Sequence, residues 1–242
     1  MISVCIATYN GERYIRKQID SILCQLSVDD EIIISDDGSE DKTIEILEEY
    51  GDDRIKIFHH KKDMSLAKLD KASFYFATQN FENALIHAKG DYIFLSDQDD
   101  EWLPNKVEKM LSILKHHYAV MSNCQVINSV GKILQPSFRT KKPFTRCFFS
   151  NLLVMPFLGC CMAFRKEVLQ YSLPFPKRLL AHDFWLGSMA VRKLDLVYID
   201  DVLHSYRQHD ENVSSASSNK SRNTLLFKIK YRMKFLFQYI AK

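Results

Sequence analysis

Short apolar runs that alternate with amphipathic stretches are the feature that most limits how this chain can fold. Runs rich in Ile and Val predict strands at residues 2–7, 31–35, 55–58 and 92–96. Residues 14–26, 43–50 and 82–88 carry the apolar spacing of helices, and Pro104 suits the first turn of a helix that ends near residue 116. Strands separated by helices are typical of a parallel sheet. The pattern therefore predicts an α/β fold, a Rossmann-like, mostly parallel sheet flanked by helices.

The pattern is less regular after residue 118. It predicts strands near residues 119–126, 132–134, 159–164, 196–199 and 202–206, with helices near 143–154 and 183–193. Residues 147–164 carry no charge, but Asn151, Pro156 and Gly159 interrupt them, which favours a buried helix and a strand over a membrane span. The six cysteines form no CxxC pair and no Cys/His metal spacing, and the N-terminus lacks a signal-peptide pattern. We therefore expect reduced thiols and a cytoplasmic location.

Charge is distributed unevenly along the chain. Residues 1–212 carry a net charge of about −4, whereas residues 213–242 hold seven basic residues and no acidic one. An acidic body with a basic, partly apolar tail suggests an anionic membrane surface as partner, with no nucleic acid expected. Apolar and basic residues alternate with the period of a strand between 227 and 235, so a helix there would not separate its faces cleanly. A closing element packed on the body is the alternative for this tail.

The turn that follows the fourth predicted strand is unusually acidic. Asp97, Asp99, Asp100 and Glu101 crowd into five positions, and a divalent cation would cancel their repulsion. A calcium-binding loop does not fit, because Trp102 stands where the glycine is needed. An aspartyl-nucleophile phosphotransferase needs a threonine soon afterwards, and none follows. A solvated helix N-terminus is the remaining alternative.

Two other polar turns end predicted strands. Thr8, Tyr9 and Asn10 follow the first strand, and Asp36 with Asp37 follows the second. Taken singly, each is as consistent with an ordinary turn or a helix cap as with a ligand site. The chain has neither GxGxxG nor GxxxxGK[ST], which leaves dinucleotide and P-loop binding without support. Because parallel strands end at one edge of a sheet, the three turns are expected to lie together where α/β folds bind ligands.

The wording of these turns resembles a known family. The segments "SVCIATYNGERYIRKQIDSIL", "EIIISDDGSEDKT", "DYIFLSDQDDEWLPNKVEKM", "LLAHDFWLG" and "YRQHDENVS" are similar to the family-two inverting glycosyltransferases of the GT-A fold. The SDQDDxW wording looks most like the bacterial, rhamnosyltransferase-like branch. The likeness runs from about residue 2 to residue 215. It implies a catalytic domain at residues 1–212, with a nucleotide-binding half at 1–117, an acceptor-binding half at 118–212, and a linker with a membrane-proximal tail at 213–242.

The resemblance also implies roles for individual residues. The residues implied to bind the nucleotide are Thr8, Tyr9, Asn10, Asp37, Asp97 and Arg207, with Tyr9 stacking on the base and Arg207 approaching the diphosphate. The residues implied to hold Mn²⁺ or Mg²⁺ are Asp97, Asp99, Asp100 and His209. Asp183 matches the catalytic base, although the family often has glutamate at the preceding position, where this chain has His182.

Together these features predict an inverting, metal-dependent transferase. It would move a sugar from a nucleoside-diphosphate donor, such as dTDP-rhamnose or a UDP-hexose, to a saccharide acceptor during synthesis of a bacterial surface polysaccharide. The acceptor is expected to be lipid-linked, and the enzyme peripheral at the inner face of the cell membrane. Two alternatives stay open: a nucleotidyltransferase that makes the nucleotide sugar, and a catalytically silent subunit that binds sugar nucleotides or polysaccharide.

Overall fold

A single curled sheet organises the molecule in the computed structural model, which describes residues 1–139, 143–209 and 224–242. The strands are β1 (Ile2–Thr8), β2 (Glu31–Asp36), β3 (Ile55–His59), β4 (Tyr92–Asp97), β5 (Glu101–Trp102), β6 (Ala119–Asn128), β7 (Ile133–Gln135), β8 (Met162–Arg165) and β9 (Val197–Gln208). The helices are α1 (Ile15–Leu23), α2 (Thr43–Glu48), α3 (Ala72–His87), α4 (Lys106–Leu114), α5 (Phe148–Val154), α6 (Glu167–Ser172), α7 (His182–Lys193) and α8 (Leu225–Ala241).

The first half of the sheet is parallel, as predicted. The strands run in the order β3-β2-β1-β4, and the pairings Thr8↔Asp36 and Ala7↔Asp97 align their carboxyl ends. The three polar turns therefore leave the sheet at the same edge.

The second half of the sheet mixes directions. Strand β8 is antiparallel to both β4 and β6, and β6 is parallel to β9. Strand β9 replaces the two short strands predicted at residues 196–199 and 202–206. It continues through irregularities opposite Asn123, and its far end pairs with β5, the strand that follows the acidic turn. Strand β9 thus brings residues near position 205 next to the acidic turn.

Hydrophobic residues on the two faces of the sheet form separate cores. Val4 and Ile6 of β1 point toward α1, α2 and α4, whereas Cys5 between them points toward α3, α5 and α7. This alternation is the period-two pattern of a strand buried on both faces. Helix α1 presents Ile15 and Ile19 at helical spacing, and both are fully buried.

Helix α3 is longer than the sequence predicted. It begins at Ala72, although a helix was expected only from residue 82. Its first half is rich in aromatic residues, which have modest helix propensity, so local preference gives a weak signal there. Burial of Tyr75 and Phe81 stabilises the additional turns, because packing of one face provides most of the stability of a helix in a protein.

The basic tail folds as a helix, which corrects the interpretation drawn from its strand-like alternation. Helix α8 begins after Thr224, whose side chain accepts a hydrogen bond from the Phe227 N–H. Phe235 is 1% exposed and contacts the rings of Phe184 and Trp185. The helix therefore packs on the body as a closing element, and the predicted linker at residues 213–223 lies outside the described residues. No helix in the described ranges is long and apolar enough to cross a membrane.

Replacement of Phe235 tests how much α8 stabilises the body. We expect Phe235→Ala to lower the free energy of unfolding by about 3–5 kcal/mol, because it removes a ring that fills the core. Phe237, two residues further on, is 65% exposed, and Phe237→Ala should change the same quantity by less than about 0.5 kcal/mol. Urea unfolding of both variants measures the difference; equal effects would show that α8 is not part of the folded core.

Candidate active site

The turn after β1 and the acidic turn after β4 are held together by one side chain. The Tyr9 N–H donates to Gln98 Oε1 at 2.9 Å, and Gln98 Nε2 donates to the Tyr9 carbonyl at 3.1 Å. A Cβ on Gly11 would lie 2.5 Å from the same Gln98 oxygen, so a larger residue there would displace the Gln98 side chain. The sequence reading missed Gln98 because an amide between two aspartates carries no local signal of a partner 89 positions away.

Thr8, Asn10 and Asp36 shape the edge of the sheet. Thr8 is buried, and its hydroxyl donates to Asp36 Oδ1 at 2.8 Å. Asp36 Oδ2 accepts from the backbone N–H groups of Gly38 and Ser39. Asn10 adopts a left-handed backbone conformation, with φ of 51°, which asparagine tolerates better than most residues. The Asn10 side chain accepts from the Glu40 N–H and so joins the first turn to the second.

Tyr9 and Asp37 lie at the part of this edge where the resemblance implies base binding. The Tyr9 ring is 47% exposed, and Lys62 Nζ lies 3.1 Å from its centroid. Asp37 is almost buried, and its Oδ1 lies 2.5 Å from His60 Nδ1. His60 and Lys62 follow β3, the strand next to β2, and the sequence reading assigned neither of them a role. The pairing of β3 with β2 brings His60 and Lys62 to this edge, and no local sequence pattern indicates that position.

Asp97 and Asp99 line the acidic turn and lie close to other negative groups. Burial, together with the carboxylates of Asp100, Asp99 and Asp183, raises the pKa of Asp97 well above its usual range. Burial likewise raises the pKa of Asp99, and the hydrogen bond with His209 opposes this shift. Asp99 Oδ2 lies 2.6 Å from His209 Nε2, so the predicted metal-binding histidine and one predicted carboxylate meet at one point. This crowding favours a positive charge at the turn.

Asp100 is fully buried, and both of its carboxylate oxygens have protein partners. Oδ1 accepts from the Arg207 N–H at 2.7 Å, and Oδ2 lies 2.7 Å from His204 Nε2. These contacts join the acidic turn to β9. The predicted role of Asp100 as a metal ligand stays a prediction.

Arg207 contacts the acidic turn, and its predicted approach to the diphosphate stays a prediction. Its side chain is buried; Nε donates to the Asp99 carbonyl at 2.7 Å, and the guanidinium pairs with Glu101. The Tyr14 ring lies against the same guanidinium, 4.8 Å from ring centroid to Cζ. Arg207 thus contacts the acidic turn from the interior of the protein. Its positive charge offsets part of the repulsion among the carboxylates of that turn.

Asp183 lies in the first turn of α7, at the same edge of the sheet. Its carboxylate accepts from the Phe184 N–H at 2.6 Å and from the Gly159 N–H. Burial raises the pKa of Asp183 to about 6, which suits a base that must take up a proton near neutral pH. His182 stacks on Phe81 with 4.0 Å between ring centroids, and burial lowers its pKa to about 3, so its ring is neutral.

Comparison with solved structures identifies the fold. TarS of S. aureus, in the complex of its residues 1–349 with UDP-GlcNAc, superposes with a TM-score of 0.65 at 16% identity, covering 99% of this chain and 72% of that 1–349 chain. The mannosyltransferase PcManGT of Pyrobaculum calidifontis, solved with GDP-Man and Mn²⁺, gives a TM-score of 0.55 at 21% identity, covering 84% of this chain and 56% of that chain. At these identities the likeness shows the fold alone, which is that of GT-A glycosyltransferases.

Sequence comparison then gives the family. Residues 3–172 match the model of glycosyl transferase family 2, and the chain belongs to that family. The dTDP-rhamnosyl transferase RfbG of Shigella flexneri is 31% identical over 241 residues, which are 94% of this chain and 77% of RfbG. The UDP-Glc:alpha-D-GlcNAc-diphosphoundecaprenol beta-1,3-glucosyltransferase WfgD of Escherichia coli is 27% identical over 224 residues, 89% of this chain and 80% of WfgD. The expected family, fold and enzyme class are confirmed.

The charge of Asp183 should affect stability and activity in opposite directions. Because burial raises its pKa, Asp183 contributes stability at low pH that is lost as the pH rises through about 6. Asp183→Asn should therefore stabilise the free protein at pH 7.5, on the order of 1–3 kcal/mol, and lower kcat roughly 100-fold or more. Wild-type kcat should fall as the pH drops below about 6.

Thermal unfolding and steady-state kinetics across pH measure these effects. Asp201→Asn provides the control, because Asp201 is an exposed carboxylate paired with Lys109. It should change neither the melting temperature at pH 7.5 nor kcat. Near-normal kcat in Asp183→Asn would remove Asp183 from the role of base.

Proposed function

We propose that this protein is an inverting, metal-dependent glycosyltransferase that uses a nucleoside-diphosphate sugar. The observation that carries the proposal is the meeting of two chemically different sets of groups at one sheet edge. Asp97 and Asp99 are acidic ligands on one side, and Asp183 is a buried carboxylate on the other, near enough to raise the pKa of Asp97. A sugar held between them would have its leaving group at the first set and its acceptor at the second.

The donor's base is proposed to lie on Tyr9 with Asp37 at its edge. An exposed aromatic ring at the end of a strand offers a stacking face, and an ionised carboxylate only accepts hydrogen bonds. Uracil and thymine both present an N–H donor on that edge, so either fits. The relatives WfgD and RfbG, whose names specify UDP-Glc and dTDP-rhamnosyl, support a donor of this kind. Lys62, now over the Tyr9 ring, would move aside or contact the nucleotide.

Mn²⁺ or Mg²⁺ is proposed to bind at Asp97, Asp99 and His209. The donor set fits such an ion, since the carboxylate oxygens of Asp97 and Asp99 suit both Mg²⁺ and Mn²⁺. The raised pKa values of Asp97 and Asp99 show that the turn favours added positive charge. The ion would stabilise negative charge on the departing nucleoside diphosphate. Asp100, Arg207 and His204 would hold the acidic turn in shape from inside the protein.

Asp183 is proposed to act as general base. The acceptor hydroxyl would donate its proton to the Asp183 carboxylate as its oxygen attacks the anomeric carbon from the face opposite the diphosphate, which inverts the configuration. The N–H groups of Phe184 and Gly159 orient the carboxylate, so it needs no reorganisation during the reaction. This role would distinguish the protein from a nucleotidyltransferase, which needs no base for a sugar hydroxyl, and from a silent binding subunit.

The acceptor is proposed to be a lipid-linked saccharide, presented at the inner face of the cell membrane. Opposite the buried Phe235, α8 has a row of exposed apolar residues at helical spacing: Leu226, Ile229, Met233, Phe237 and Ile240. The helix carries basic residues and no acidic one, so it complements an anionic leaflet. The relative WfgD is named for a diphosphoundecaprenol-linked acceptor, which supports this choice. The protein would then be cytoplasmic and peripheral.

Hydrolysis of a panel of nucleotide sugars tests the reaction and its metal. With Mn²⁺ present, we expect release of the nucleoside diphosphate from a UDP- or dTDP-linked sugar, and loss of this activity in EDTA. Asp99→Asn should lower kcat at least about 100-fold with little effect on folding, because the change removes a ligand charge from a repulsive cluster. Full activity in EDTA would exclude the metal site, and formation of a nucleotide sugar from a sugar phosphate would identify a nucleotidyltransferase.

Sedimentation with vesicles tests the proposed membrane surface. We expect binding to vesicles that contain phosphatidylglycerol and little binding to pure phosphatidylcholine, with loss at high salt. Lys230→Glu combined with Phe237→Glu should abolish binding, since it removes an exposed basic residue, which contributes about 1 kcal/mol near an anionic leaflet, and an exposed apolar side chain. Hydrolysis of soluble donor should persist in this variant, which keeps the buried face of α8 intact. Equal binding to both kinds of vesicle, or to neither, would contradict the proposal.

A further inference from the structure

A lysine lies buried directly behind the acidic turn. Lys106 is the first residue of α4 and is fully buried. Its Nζ lies 2.7 Å from the Cys160 carbonyl oxygen, 3.0 Å from His204 Nδ1 and 4.5 Å from the centroid of the Trp102 ring. An ammonium group costs considerable free energy to remove from water unless its donors are satisfied, so its position calls for an explanation.

One set of contacts leads from Lys106 to the metal-binding turn. A charged lysine can only donate, so Lys106 donates to His204 Nδ1 and the N–H of the ring faces Asp100 from Nε2. Nε2–H then donates to Asp100 Oδ2, while Asp100 Oδ1 accepts from the Arg207 N–H. Arg207 in turn donates to the carbonyl of Asp99. The ammonium is thus connected, through consecutive hydrogen bonds, to the backbone that carries a proposed metal ligand.

A second set of contacts leads from Lys106 to Asp183, the proposed general base. Lys106 donates to the Cys160 carbonyl, in the short 3₁₀ turn Gly159–Cys161. The preceding residue, Gly159, donates its N–H to the Asp183 carboxylate. A Cβ on Gly159 would lie only 3.3 Å from Asp183 Cβ, so this turn and the base are in close contact. Any displacement of Cys160 would therefore be transmitted to the group that orients Asp183.

Lys106 lies beside a cluster of groups that could hold a metal ion. Ligand atoms of Asp100, Cys160 and His204 lie within 4.8 Å of one another. Lys106 Nζ lies 3.0 Å from His204 Nδ1, so the lysine and an ion would compete for that nitrogen. Burial lowers the pKa of Lys106.

We propose that Lys106 is a positioning residue that fixes the metal-binding turn and the base relative to each other. It contacts neither substrate nor metal. It acts through His204 and Asp100 on one side, and through Cys160 and Gly159 on the other. The inference rests on the proposed function, since it assigns Asp99 to the diphosphate side and Asp183 to the acceptor side.

Two lysines of α4 provide a matched pair of variants. Lys106→Met keeps the length of the side chain and removes its donors. Lys109→Met makes the same change three residues along α4, at an exposed lysine that pairs with Asp201. Four quantities are measured for each: the Mn²⁺ concentration for half-maximal binding of UDP or dTDP, kcat and KM for donor hydrolysis, and the melting temperature.

We expect Lys106→Met to weaken Mn²⁺-dependent nucleotide binding at least about 10-fold and to lower kcat about 100-fold, the scale of a displacement of about 1 Å at a reacting centre. KM for donor at saturating Mn²⁺ should change little, because the proposed binding site for the nucleobase, at Tyr9 and Asp37, does not contact Lys106. Lys109→Met should leave the Mn²⁺ concentration, kcat and KM within about twofold of wild type, and the melting temperature unchanged. Rescue of both binding and kcat in Lys106→Arg, which restores donors, would further support the proposal.

A lower melting temperature with normal kcat and normal Mn²⁺ binding per folded molecule would overturn the proposal in favour of a purely structural lysine. A change in Mn²⁺ binding alone, or in kcat alone, would also overturn it, because the proposal requires Lys106 to position both the metal-binding turn and Asp183. If Lys106→Met does not fold, Lys106→Gln, which keeps an amide donor, is judged by the same criteria. Failure of the wild-type protein to bind nucleotide with Mn²⁺ or to hydrolyse any donor would instead reject the proposed function, and the inference with it.

Discussion

Repulsion among carboxylates at one edge of the sheet is the constraint on which the rest of the site depends. Asp97, Asp99 and Asp100 leave β4 together, and Asp183 approaches them from α7; burial, and then these neighbouring carboxylates, raise the pKa of Asp97 well above its usual range. The protein offsets part of this repulsion from within. Arg207 and the hydrogen-bonded series from Lys106 through His204 support the turn from behind, where water cannot. The remaining negative charge faces the place where we propose a divalent ion and the diphosphate.

Strand β9 makes this arrangement possible. It is the last strand of the body, and it pairs with β5 immediately after the acidic turn. The pairing Trp102↔His204 brings His204, and with it Arg207 and His209, to a segment about a hundred positions earlier in the chain. A buried, paired strand is rigid, so the residues it presents reach the turn with little loss of conformational freedom when a ligand binds. In this half of the molecule, the contacts that stabilise the fold also determine the shape of the site.

Helix α8 divides two tasks between its faces. Phe235 and Tyr231 pack on the body, where Phe235 lies against α7, the helix that begins with the proposed base. The opposite face remains apolar and exposed, with basic residues beside it. A tail that only bound a membrane would not need the first face, and a tail that only closed the core would not need the second. The helix thus joins the catalytic body to the surface on which we propose that the acceptor is presented.

The sequence by itself determined the elements whose information is local: the parallel strands β1 to β4, helix α1, and the three polar turns, because apolar period and turn chemistry are encoded in neighbouring residues. It also indicated the family. Only the tertiary structure decided which charged residues serve as supports. Asp100 and Arg207 resemble ligands in the linear motif, yet both are buried against partners a hundred positions away. Gln98, Lys106 and His204 gave no signal at all, because a hydrogen bond between distant segments leaves no period in the sequence of either. The same holds for α8. Apolar and basic residues alternate in its sequence with the period of a strand, whereas the packing of Phe235 on the body favours a helix.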